Sequence, residues 1–132
     1  IPFETEVHRP VKATGTSTSD LLHEADATDA SGGTDIYEGL LSALDELPSE
    51  SEASQYTTAI VLMTDGRSNS DHQDEFESAY KSRGRDLPIF SIMFGDADPS
   101  QLKSLATLSN AKVFDGRSGD LAAVFRQAKG FN

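Results

Sequence analysis

The run Ile60-Val61-Leu62-Met63-Thr64-Asp65-Gly66 joins four consecutive apolar residues to a polar turn. A short, uninterrupted apolar run closed by Asp and Gly is typical of a strand buried on both faces inside a parallel sheet. Residues 88–94 (Pro-Ile-Phe-Ser-Ile-Met-Phe) repeat the pattern, and Lys112-Val113-Phe114 is a shorter version of it. Residues 1–11, with Ile1, Phe3, Val7 and Val11, form either a fourth strand or the remnant of a hairpin.

Helical spacing of apolar residues separates these strands. We predict helices at about 20–25, 36–47, 76–83, 98–108 and 120–130. In the second helix, apolar residues recur every third or fourth position from Ile36 to Leu47, and Pro48 ends the run. The fourth begins with Asp98-Pro99, a capping residue followed by proline at the first helical position. Strands alternating with helices predict a doubly wound α/β fold, a mainly parallel sheet with helices on both faces.

Two polar segments are expected beyond the carboxyl ends of the strands, where such sheets bind ligands. The first is Ser31-Gly32-Gly33-Thr34-Asp35, a loop that opens a helix. The second is Thr64-Asp65-Gly66-Arg67-Ser68, the turn that leaves the 60–63 strand. The Thr34 hydroxyl and the Asp65 carboxylate are hard oxygen ligands suited to Mg²⁺ or Mn²⁺. Gly32 and Gly33 would let the first loop approach the ion.

The order and spacing of these motifs resemble the von Willebrand factor type A domain family. Gly33-Thr34-Asp35 stands before an amphipathic helix, and the 60–66 run follows about one helix later. Residues 88–95 resemble the family's next strand. Phe114-Asp115-Gly116 and residues 125–132 resemble bacterial members in which the domain follows a solute-binding-protein-like region. The resemblance covers essentially all of residues 1–132 as a single partial domain, and it implies a Rossmann-like fold.

The resemblance also implies a metal-ion-dependent adhesion site, built from an Asp-x-Ser-x-Ser loop, a threonine and a later aspartate. Thr34 and Asp65 match the last two elements, but Asp-x-Ser-x-Ser does not occur in the sequence. We therefore expect the family's first strand and helix to be missing from an N-terminally truncated domain. Magnesium prefers about six oxygen ligands, so two protein ligands predict weak or absent metal binding in this chain.

The function implied by the resemblance is protein binding rather than catalysis. The metal would accept an acidic side chain from a protein partner, and Gly32, Gly33, Arg67 and Ser68 would contact that partner. Without the first strand, the 58–63 strand would keep an unpaired edge of N–H and C=O groups. Such an edge recruits another chain, which predicts pairing with a second copy or with another polypeptide.

Composition narrows the partners further. The chain has 11 basic and 22 acidic residues, a net charge of −11, which disfavours nucleic acid. The acidic surface suits a divalent cation or a basic protein, although it also serves solubility.

The absence of cysteine excludes disulfides, thiolate zinc sites and cysteine nucleophiles. No apolar stretch approaches the roughly 20 residues that cross a bilayer, and the compartment stays open. The bacterial resemblance leads us to expect an extracytoplasmic or membrane-attached full-length protein.

The alternative function is that of a magnesium-dependent phosphatase of the haloacid dehalogenase type. Such an enzyme also places an aspartate after a buried strand and a Gly-Asp later, as Asp65 and Gly95-Asp96 do. It needs a second acid two residues after the first, where this chain has Arg67. It also needs a lysine to balance phosphate charge, and Lys81 falls on a predicted helix.

Several of these residues also have simpler interpretations. Asp65-Gly66 taken alone is an ordinary turn, and Thr34 could cap the following helix. Asp35 is best interpreted as a first-turn charge favoured by the helix dipole. The three histidines show no metal-ligand spacing and are expected to be solvated: His8, His23 and His72.

Overall fold

A parallel sheet of three strands organises the chain. The computed structural model describes residues 1–13, 19–27, 32–53, 55–69, 71–83, 86–118, 122–123 and 126. The strands are β1 (Ile60–Thr64), β2 (Ile89–Met93) and β3 (Val113–Asp115), in the spatial order β1-β2-β3. The helices are α1 (Ser19–Ala27), α2 (Ile36–Asp45), α3 (Glu50–Ala53), α4 (Gln73–Ser82) and α5 (Pro99–Leu108), and a 3₁₀ turn covers Gly116–Ser118. The predicted α/β class with a parallel sheet is confirmed.

The central strand β2 is buried along its whole length, as its sequence predicts. The same prediction is wrong for β1, which alternates. Leu62 is 4% exposed, whereas Val61 and Met63 are 44% and 43% exposed on the opposite face. The difference arises because the helices that pack beside β1 in the described part of the chain lie on the Leu62 face.

One core cluster joins that face of the sheet to α2, α4 and α5. Leu40, Phe76 and Leu102 represent the three helices, and all three side chains are at most 2% exposed. The rings of Tyr37 and Phe76 lie 6.2 Å apart between α2 and α4. A second, smaller cluster covers the other face of β2 and β3 and contains Phe90, Ile92 and Phe114. The helix predicted at 120–130 falls almost entirely outside the described residues.

The N-terminal residues form a tight turn rather than a long strand. Phe3 and Val7 make an isolated antiparallel bridge, and the His8 N–H donates to the Pro2 carbonyl at 3.0 Å. Of the two predicted interpretations for this segment, the hairpin remnant is the one observed. Phe3 then packs on Gly39 of α2, which anchors the turn beside the loop that precedes α2. None of the described helices is long and apolar enough to cross a membrane.

Candidate functional site

The two polar segments predicted from the sequence meet at the carboxyl end of β1. A Cβ atom placed on Gly66 would lie 2.6 Å from the Thr34 Oγ1, so the hydroxyl rests against the residue that follows Asp65. The Asn69 N–H also donates to the Thr34 carbonyl at 3.0 Å. These contacts bring Thr34 beside the turn that carries Asp65. Ser31, the first residue of the predicted loop, lies outside the described residues.

Asp65 is exposed, and its backbone carbonyl contacts the turn that follows β2. The Asp96 N–H donates to the Asp65 carbonyl at 2.9 Å. Gly95 has a φ of +42°, and a Cβ atom there would approach the same carbonyl oxygen to 2.7 Å. The turn after β2 therefore packs against the turn after β1 and hydrogen-bonds to it. Glycine is required at position 95 because a residue with a side chain would combine an unfavourable φ with a steric overlap.

Ser68 ties the turn to the start of α2. Its Oγ accepts from the Ile36 N–H at 2.9 Å and donates to the Asn69 carbonyl at 2.7 Å. The Gln101 amide of α5 brackets the Ser68 backbone, donating to its carbonyl at 2.9 Å and accepting from its N–H at 3.2 Å. The Ser68 hydroxyl, predicted to contact a partner, is thus engaged within the chain, while Arg67 is exposed. Gln101 therefore holds the Ser68 backbone in place, a contact that no sequence motif indicates.

Gly32 and Gly33 pack against the N-terminal turn. The Gly33 N–H donates to the Thr5 Oγ1 at 2.6 Å. Gly32 has a φ of +78°, and a Cβ atom there would overlap the Glu4 carboxylate. The Asp35 N–H donates to the Glu4 carbonyl at 2.8 Å. Gly32 and Gly33, expected to let the loop approach an ion, are therefore held by Glu4 and Thr5 of the N-terminal turn. No sequence motif connects this turn to the site.

A second cluster lies at the start of α2, beside Thr34. Asp35 is 2% exposed, and its Oδ1 accepts from the N–H groups of Tyr37 and Glu38, each at 3.1 Å. Its Oδ2 lies 2.6 Å from the His72 Nδ1. One ligand atom from each of Asp35, Glu38 and His72 falls within 4.8 Å of the others.

This cluster corrects three sequence-based interpretations. The N-cap of α2 is Asp35, so Thr34 does not cap the helix and Asp35 is not a first-turn charge. His72 is paired rather than merely solvated. The hydrogen bond to Asp35 raises the pKa of His72, partial burial opposes the rise, and the carboxylates of Asp35, Glu38 and Glu75 add to it. No sequence motif indicates this pairing, because 37 positions separate the two residues.

Together, a parallel sheet with helices packed on it and polar loops beyond its carboxyl end define a Rossmann-like α/β domain. Residues 2–127 match the model of the von Willebrand factor type A domain, and the chain belongs to that family. No curated protein and no solved structure gives a significant match.

The phosphatase alternative gains no support from the comparisons. The lysine it would need for phosphate is Lys81, which lies in α4 as predicted and pairs with Glu77 at 3.1 Å. Arg67 stands two residues after Asp65, where that chemistry requires an acid.

Proposed function

We propose that this chain is a non-enzymatic, protein-binding module. It takes up an acidic side chain of a protein partner through Mg²⁺ or Mn²⁺ at Thr34 and Asp65. The observation that carries the proposal is the contact of the Thr34 hydroxyl with Gly66, the residue that directly follows the exposed Asp65. A hydroxyl and a carboxylate on adjoining loops suit a hard divalent cation.

The number of protein ligands sets the expected strength of binding. Two oxygen ligands leave about four of the six positions of Mg²⁺ to water or to the partner. Affinity for the ion alone is therefore low, and the open positions are where a partner carboxylate would bind. Arg67 follows Asp65 by two residues in the same turn and is exposed, so we expect its guanidinium to contact the same acidic partner.

Overall charge makes the cation necessary for such a partner. A chain with a net charge of −11 repels an acidic protein surface at long range. A divalent ion at Thr34 and Asp65 reverses the sign of the potential at one place only. Binding of an acidic partner is therefore expected to depend on the ion, and binding of nucleic acid is not expected.

Titration with Mn²⁺, followed by the electron paramagnetic resonance signal of the free ion, tests the proposal. We expect weak binding to the unmodified chain and loss of that binding in Thr34→Val and in Asp65→Asn. Asp45→Asn is the matched control, because Asp45 is an exposed acid at the far end of α2. Binding that survives both site substitutions, or that Asp45→Asn also removes, contradicts the assignment.

A further inference from the structure

We propose a second metal site, for zinc or a similar transition-metal ion, at Asp35, Glu38 and His72. It differs from the Thr34 and Asp65 site in its ligands and in the ion it selects. An imidazole nitrogen with two carboxylates suits Zn²⁺ and Co²⁺, whereas an all-oxygen set suits Mg²⁺. The proposal does not depend on the function proposed above.

The spacing of the three groups fits one small ion. Their ligand atoms lie within 4.8 Å of one another, and bonds of about 2.0–2.1 Å in a tetrahedral zinc site place ligand atoms roughly 3.3 Å apart. The Asp35 Oδ2 and the His72 Nδ1, now 2.6 Å apart, would separate by less than about 1 Å as the ion replaces their hydrogen bond. Water would fill the fourth position.

The buried carboxylate is already oriented for this role. The Asp35 Oδ1 is fixed by two backbone N–H groups, which leaves Oδ2 to face His72. Hydrogen bonds of this kind hold metal-ligating carboxylates in place and are part of a metal site. Because Asp35 keeps both bonds when Oδ2 binds the ion, the cap of α2 is retained.

The other two ligands are carried by well-packed elements. Glu38 lies three residues after Asp35, which places both on one side of α2. The His72 carbonyl accepts from the Phe76 N–H at 2.9 Å, so His72 begins the first turn of α4. Contact between the Tyr37 and Phe76 rings joins α2 to α4. The ligand geometry is therefore set by helix packing rather than by long loops.

Electrostatics favour an ion at this position. Asp35 and Glu38 place two carboxylates side by side, and Glu75 adds to the negative potential at His72. Imidazole binds a metal ion in its neutral form, so His72 would bring no positive charge of its own to the occupied site. A divalent ion supplies the missing positive charge, and the His72 side chain, 40% exposed, leaves a route for its entry from solvent.

Visible absorption of Co²⁺ provides the test, since tetrahedral cobalt absorbs much more strongly than the hydrated ion. We expect the unmodified chain to develop a visible band that saturates at one equivalent. Excess Zn²⁺ should remove the band and Mg²⁺ should not. His72→Gln and Glu38→Gln each keep a hydrogen-bonding side chain, and circular dichroism checks that they fold. Each variant should lose the Co²⁺ band. His23→Gln is the control, because His23 is an exposed histidine of α1.

The variants distinguish this proposal from the proposed function. A Co²⁺ band retained in Asp65→Asn, together with Mn²⁺ binding retained in His72→Gln, supports two separate sites. A band that survives His72→Gln, or no band in the unmodified chain, overturns the zinc site. If Mn²⁺ binding is unchanged in Thr34→Val and Asp65→Asn while the Co²⁺ band still depends on His72, the function proposed for Thr34 and Asp65 is refuted. The zinc site is then still supported.

Discussion

At the residue scale, the site depends on the small size of Gly66. A side chain there would meet the Thr34 hydroxyl at 2.6 Å, whereas a side chain on Gly33 would meet only the Thr5 hydroxyl, at 3.5 Å. The first distance is an overlap and the second is an ordinary contact. The two glycines lie in the two loops of one site, so they form a matched pair for substitution.

Gly66→Ala is expected to lower the free energy of unfolding by about 1–3 kcal/mol, the usual cost of overpacking. It should also weaken Mn²⁺ binding, because the displaced hydroxyl is the proposed ligand. Gly33→Ala should leave both properties nearly unchanged. Urea denaturation and Mn²⁺ titration measure the two effects. Equal effects from the two substitutions would show that the contact between Gly66 and Thr34 is not tight.

Two buried serines allow a test of hydrogen bonding in the core. Ser91 in β2 is 0% exposed, and its Oγ has no hydrogen-bond partner among the described residues. Ser109 is also buried, but its Oγ accepts from the Ile89 N–H at 3.2 Å and donates to the Leu105 carbonyl at 2.8 Å. The two hydroxyls are therefore expected to contribute to stability with opposite signs.

Ser91→Ala is expected to raise the free energy of unfolding by about 1 kcal/mol, because an unsatisfied buried hydroxyl costs about 1–3 kcal/mol. Ser109→Ala should lower it by a similar amount, since the Ile89 N–H loses its partner. Denaturant midpoints of the two variants check the difference. If Ser91→Ala destabilises as much as Ser109→Ala does, the Ser91 hydroxyl has a partner in the folded protein.

At the element scale, the strands and most helices could be predicted from apolar patterns because each pattern is local. The residues 89–93 run marks a fully buried strand, and Asp98-Pro99 marks the start of α5, where the Asp98 Oδ1 accepts from the Ser100 N–H at 2.8 Å. The approach of Thr34 to the β1 turn also followed from sheet topology. Patterns in one segment carry no information about which distant segment covers it.

The features that sequence reasoning missed all depend on distant pairs. The exposure of Val61 and Met63 reflects what lies on one face of the sheet, and an apolar run cannot specify it. The pairing of His72 with Asp35 and the bracketing of Ser68 by Gln101 join different loops and helices. Each of these residue types is common on exposed surfaces, so composition alone gives no signal.

The edge of β1 that faces away from β2 allows a prediction about assembly. In the described chain, β1 is hydrogen-bonded to β2 alone, and exposed strand edges attract other strands. We expect a second copy to associate here, giving a concentration-dependent dimer in sedimentation velocity. The double substitution Val61→Lys and Met63→Lys should shift the protein to monomer. Lysine side chains on an exposed edge strand disfavour its pairing with another strand. Leu22→Lys, on the exposed side of α1, is the control.

An alternative outcome of that experiment is equally informative. A monomer at every concentration, with backbone amides of β1 protected from hydrogen exchange, would show that this edge is covered within the chain. Dimerisation that persists in the double lysine variant but is lost in Leu22→Lys would move the interface to α1.

At the scale of the whole molecule, acidic residues outnumber basic residues by 22 to 11. Three ion pairs between lysine or arginine and an acid are found in the described residues: Lys12 with Glu46, Lys81 with Glu77, and Arg117 with Asp115. Exposed pairs of this kind contribute about 0–1 kcal/mol each. Repulsion among the remaining acids acts over longer distances and destabilises the compact state.

Salt should therefore stabilise this protein near neutral pH. Ions at about 0.1 M limit electrostatic interactions to about 10 Å, which weakens repulsion between distant acids more than attraction within contacting pairs. We expect the thermal midpoint to rise between low and moderate NaCl. The effect should nearly vanish near pH 4.5, the isoelectric point, because the net charge then approaches zero. Tetramethylammonium chloride should act like NaCl if screening is the cause. A rise seen with Mg²⁺ at matched ionic strength, but not with tetramethylammonium, would instead attribute the stabilisation to bound cations.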